Sequence, residues 1–182
     1  MSSLAVVSVI FNFLPMLPFQ VLLTNLISDG PLLAISTDRV DEEELIKPRN
    51  WNMRLIRRFT TFFGAISSIF DFTTMAFFFI VAGDNVALFR TGWFIESTLS
   101  EILVTFPIRT KKRFYKSRPS TMLLATSILF GLLTVLLPYS PLSTFLKFHP
   151  PDLLELLTIF GILTLYFSVV ELIKNFFYRK YS

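Results

Sequence analysis

Asn25, Ser28 and Asp29 stand at i, i+3 and i+4 within an apolar run from Phe19 to Thr37. On a helix that spacing puts an amide carbonyl, a hydroxyl and a carboxylate on one face. Hard oxygen donors gathered in this way suit a cation. Pro31 adds to the set: its ring has no N–H to give and clashes with the Ile27 carbonyl one turn back, so the helix is expected to kink or unwind there. Irregular backbone at bilayer depth persists only where protein buries it or where it lines a wet cavity. An ionisable residue at that depth marks a functional site by default.

Glu101 is the second acid that could ligate. It lies as far inside an apolar run beginning at Thr91 as Asp29 lies inside Phe19, about 15 Å in each case. Glu96 is shallower, and the five residues separating it from Glu101 amount to about 140° of helix, so the two cannot face one site. Glu96 and Asp71 read more simply as structural, with Ser67 and Ser68 as helix-packing donors. Glu171 is close enough to Lys174 for an interfacial pair, and His149, ahead of Pro150-Pro151, reads as solvated. Trp51 and Trp93 are expected to anchor at the membrane surface. The acidic run Asp41–Glu44 reads as solvated or as the contact of a cytoplasmic partner domain.

These residues need apolar helices to hold them, and the composition supplies them. Hydrophobic residues make up 53% of the 182, with 22 Phe, while charged residues reach only 16% and come in blocks. The absence of Cys excludes a disulfide framework and a thiolate metal site. The net charge of +4 could suggest nucleic acid. Its basic residues, however, cluster between apolar runs, which favours a membrane surface and no nucleic acid. Five full spans are expected, at about Phe19–Thr37, Phe59–Ala82, Thr91–Ile108, Thr121–Tyr139 and Leu153–Ile173. A partial one runs from Ser2 to about Leu14. The fold class is therefore all-α: a polytopic membrane helix bundle forming a single membrane domain over 1–182.

Loops 38–58 and 109–119 and the tail after Ile173 hold fifteen of the 17 basic residues; only Arg90 and Lys147 fall on the other side. Under the Lys/Arg loop bias these loops and both termini are cytoplasmic. The expected setting is the plasma membrane, with lipid as the surrounding partner.

Asn25-Leu-Ile-Ser-Asp29-Gly resembles the sixth-helix cation-site motif of P-type cation pumps. Val40-Asp41 followed by Lys47-Pro48-x-x-Trp51-Asn52 is similar to the magnesium-transporting branch, as is Phe62-Phe63-Gly64-x-Ile66-Ser67-Ser68-Ile69-Phe70-Asp71. Gly92-Trp93-Phe94, Ile108-Arg109-Thr110, Ser117-Arg118-Pro119-Ser120 and Leu137-Pro138-x-Ser140-Pro141-Leu142 continue the match in order. The resemblance implies a carboxy-terminal membrane half, from late in the fifth helix through the tenth. It further implies a metal site of Asn25, Ser28, Asp29 and Glu101 and a transported ion, Mg²⁺ being favoured. Glu101 stands where the eighth helix is expected to carry a polar site residue, with Glu96 as its competitor.

The chain departs from the family where energy enters. No Asp-Lys-Thr-Gly-Thr phosphorylation loop and no nucleotide-binding domain occur in it. Phosphoryl transfer needs a positioned acceptor, nucleotide and Mg²⁺, so no ATP hydrolysis is expected from these residues alone. ATP would act only through the missing N-terminal and cytoplasmic domains. The expectation is a fragment, or a split or truncated pump. A non-catalytic membrane scaffold or regulatory subunit is the alternative, and a secondary transporter, suggested by a midplane acid on a broken helix, is a third that the motifs argue against.

Overall fold

A computed structural model describes residues 7–8, 13–38, 53–110 and 112–181, with side chains for all of these but 55, 56, 175 and 178–181. Five long helices make the bundle: α1 Pro18–Ala34, α2 Met53–Ala82, α3 Val86–Ile108, α4 Thr121–Leu136 and α5 Leu153–Tyr181. No strand occurs among the described residues. The partial span before Leu14 and the motif residues 40–52, Trp51 among them, lie largely or wholly outside the described residues.

Local chemistry sets the helix ends. Pro18 occupies the first position of α1, where a missing N–H costs nothing, and Gln20 Oε1 accepts from Leu17 N at 2.9 Å. The same Gln20 donates through Nε2 to the Leu146 carbonyl at 3.0 Å, so the start of α1 is tied to the α4–α5 connection. Asn85 caps α3 by accepting from Leu88 N at 3.1 Å, and Ser120 caps α4 by accepting from Leu123 N at the same distance.

α3 is the axis of the fold. It packs against α1, α2, α4 and α5, and most of its 23 residues are buried. The other four helices are long and apolar enough to cross a membrane, and most of each apolar window faces outward. α3 is not among them; it carries Arg90, Glu96 and Glu101. Polarity and burial thus run together. The helix without a membrane-length apolar window is the most enclosed one, and its acids Glu96 and Glu101 are buried and half-buried among its neighbours.

Three expectations are corrected. The α2 helix begins at Met53 rather than near Phe59, so the last six residues of the expected 38–58 loop are helical. A run of Arg ends apolar character without breaking a helix, because Arg is a good helix former. Pro31 leaves α1 unbroken from Pro18 to Ala34, although it still cannot donate to the Ile27 carbonyl. Trp93 is 3% exposed and belongs to the core with Phe78, Phe89 and Phe94; it is no surface anchor.

Candidate cation site

The rotation of α1 decides which donors meet protein. Gln20, Thr24, Ile27, Pro31 and Ala34 are its buried stripe, spaced by four and three. Relative to Ile27 at 100° per residue, Asn25 and Asp29 fall roughly opposite and Ser28 to the side. Accordingly Asn25 and Asp29 are exposed on the outer face of the bundle, while Ser28 is half-buried. Gly30 permits this placement: a Cβ there would stand 2.3 Å from the Phe130 ring of α4, so only glycine lets the two helices close with Asp29 turned outward.

α1 and α3 run in parallel and are joined by polar contacts at nearly constant offset. Arg90 Nε donates to the Leu14 carbonyl at 3.0 Å, and Thr98 Oγ1 reaches Thr24 Oγ1 at 3.5 Å. Further along, the Ser28 hydroxyl meets the Glu101 carboxylate. At the end, Arg109 Nη1 pairs with Asp38 Oδ2 at 2.7 Å. Asp38 Oδ1 also accepts from Ser120 N at 2.7 Å, so one carboxylate holds α1, α3 and the cap of α4 together. The sequence offered Asp38 and Thr24 no distinction; only tertiary register reveals them.

Of the four expected site residues, Ser28 and Glu101 come together. Asn25 and Asp29 lie beside them on the open side, with Ser28 Oγ donating to the Asn25 carbonyl at 3.2 Å. Asp29 and Asp71 are close enough to act electrostatically on Glu101. Glu96 is wholly buried and turned elsewhere, in keeping with its angular separation from Glu101. Among the described residues no three acidic or histidine side chains gather tightly enough to hold a metal by themselves. What the arrangement offers is a partial set: the Asp29 carboxylate and the Asn25 amide on the outer face beside Ser28 and Glu101, with the Ile27 carbonyl, left without its helical donor, on the buried stripe.

Glu171 forms the ion pair expected of it, 2.7 Å from Lys174 Nζ, and also accepts from Phe114 N at 3.1 Å. The Lys174 ammonium, itself buried, donates to the Lys112 carbonyl at 2.7 Å.

Comparison with known proteins gives the chain a family. The family described as cation transporting ATPase, C-terminus, matches residues 13–176. The chain is similar to magnesium-transporting ATPase, P-type 1, of Salmonella typhimurium, 39% identical over 185 residues that cover 99% of the chain and 20% of that relative. It is also similar to the protein of the same description from Escherichia coli strain K12, 36% identical over 99% of the chain and 21% of the relative. The chain thus spans about a fifth of the length of these curated relatives.

Proposed function

This chain belongs to the cation-transporting ATPase C-terminal family, and from that premise we propose that it is the membrane domain of a P-type ATPase and forms part of the pathway of a cation, Mg²⁺ first. The observation that carries the reading is the face of α1 where Asn25 and Asp29 stand exposed beside the Ser28–Glu101 contact. Asp29 supplies a carboxylate and Asn25 an amide carbonyl on that face, while the Ile27 main-chain oxygen that Pro31 leaves free lies on the buried stripe of the same turn. Mg²⁺ sheds water reluctantly and demands octahedral oxygen geometry. One or two carboxylates with retained water on an open face meet that demand. Further ligands, and the phosphate acceptor and nucleotide site that drive transport, come from the rest of a pump.

The same reading makes α3 a fifth crossing. Its 23 residues suffice for a hydrocarbon core of about 30 Å, and its neighbours shield its acids from lipid. Both termini and loops 38–58 and 109–119 are cytoplasmic, and the membrane is the plasma membrane.

The test is Asp29→Asn in the complete pump. The substitution keeps shape and removes the charge that offsets desolvation of a divalent cation. Mg²⁺-stimulated ATPase should fall by at least the roughly 10–100-fold that loss of a supporting ligand already costs, with protein abundance unchanged. Glu101→Gln should lose less, and Glu171→Gln almost nothing. Wild-type Mg²⁺ dependence in Asp29→Asn would remove it from the site.

A further inference from the structure

Buried polar atoms without a partner are uncommon in proteins, and among the described residues α2 and α3 carry four: Trp93 Nε1 and the three at Glu96 and Thr74. Both carboxyl oxygens of Glu96 and the hydroxyl of Thr74 are unbonded, and both residues are 0% exposed. The two stand level. α2 and α3 are antiparallel across the turn at 83–85, and Phe78 packs directly on Gly92. Four residues back along α2 and four forward along α3 from that contact put Thr74 and Glu96 at one level of the seam, not hydrogen-bonded to each other.

The charges around this point share one sign. Asp71, one turn from Thr74 on α2, and Glu101 on α3 are the groups that act on Glu96. From α5 the Tyr166 ring senses Asp71, Glu96 and Glu101, while its hydroxyl is engaged with Ser67. α4 contains no ionisable residue. Asp29 of α1 acts on Glu101. On α3, its C-terminal cap and α5, the cations with described side chains are committed elsewhere: Arg90 to Leu14, Arg109 to Asp38, Lys174 to Glu171.

We propose that Glu96, with Thr74 level with it, is a proton-binding site in the α2–α3 seam, separate from the cation donors on α1. A bare carboxylate there would be desolvated, without a donor, and beside acids of its own sign, and a bound proton relieves all three. Protonated, the carboxyl gains an O–H to donate and keeps an acceptor oxygen, and a hydroxyl such as Thr74 can serve either one. The exchange is simple: water reaches the carboxyl when α2 and α3 part, one proton leaves or arrives, and no other bond changes. Parting and repacking of this seam is therefore coupled to one proton.

Infrared spectroscopy of the 182-residue chain in lipid vesicles at neutral pH tests this without ATP or transport, so its outcome is independent of the pump assignment. The carbonyl stretch of a protonated carboxyl should be present, shift in D₂O, vanish in Glu96→Gln and survive in Asp29→Asn. Thr74→Val, which keeps the shape and removes the hydroxyl, should shift the same band; it tests the site even if Glu96→Gln fails to fold. A band unmoved by both variants overturns the site. A band erased by adding Mg²⁺ alone makes the seam a cation site and equally overturns the assignment.

Discussion

At Gly92 a Cβ would stand 2.2 Å from the Phe78 ring, which is itself wholly buried and cannot swing into space. Gly92→Ala should therefore overpack the α2–α3 contact and cost about 1–3 kcal/mol. Gly64 is the control: a Cβ there would have nothing within 4 Å, and its replacement by Ala should be neutral or slightly stabilising. Thermal unfolding in detergent distinguishes them; equal shifts would remove Gly92 from the packing argument. At this scale the sequence was readable where chemistry depends on spacing. Asn25, Ser28 and Asp29 share a region of α1 because i, i+3 and i+4 must. Rotation was not readable. Depth along a helix says nothing of which neighbour a side chain meets, so Glu96 gave no sign of its complete burial and Trp93 looked like a surface residue.

The contacts between α1 and α3 act as a series of rungs, and the Asp38–Arg109 rung is the most heavily committed. The two side chains are only 10% and 3% exposed. Asp38→Asn would leave a buried guanidinium unpaired, for which about 3–5 kcal/mol is the usual cost. The reversed pair, Asp38→Arg with Arg109→Asp, should recover only part of it, because Ser120 N then loses its acceptor. Denaturant unfolding of the single and double variants measures this; a double variant no better than the single one would deny a direct pairing. Element positions were largely legible, since apolar runs act locally. The onset of α2 was missed because a membrane-length pattern marks where lipid ends rather than where hydrogen bonding ends. The unbroken path of α1 through Pro31 was missed because a proline inside a helix packed among neighbours removes one hydrogen bond without ending the helix.

Taken whole, the described residues surround α3, the one long helix without a membrane-length apolar window, with the four that have one, and in the sequence fifteen of the 17 basic residues fall in 38–58, 109–119 and the tail. That asymmetry carries the proposed orientation. On a chain without Cys, a single cysteine at position 84 should react with an impermeant thiol reagent from outside intact cells, and one at position 112 only after the membrane is opened. Labelling of position 112 from outside would invert the topology. The all-helical membrane class was legible from composition alone. The central place of α3 was not, because its run reads as one span among five and only its neighbours show why its acids are tolerated.

The grip of α5 on the α3–α4 connection has a consequence for proteolysis. Lys112, Arg113 and Lys116 make this stretch, by composition, an inviting target for trypsin. A protease must draw several residues into an extended form, and here the main chain is already occupied. The Lys112 carbonyl is held by Lys174, Phe114 N by Glu171, the Ser117 carbonyl by Arg109 and Lys116 N by the Arg113 carbonyl. Trypsin should therefore leave the connection intact in native vesicles opened to expose it, and cut there once Lys174→Met releases the Lys112 carbonyl. On this expectation a single buried ammonium on the last helix decides whether a loop 62 residues earlier can be cleaved.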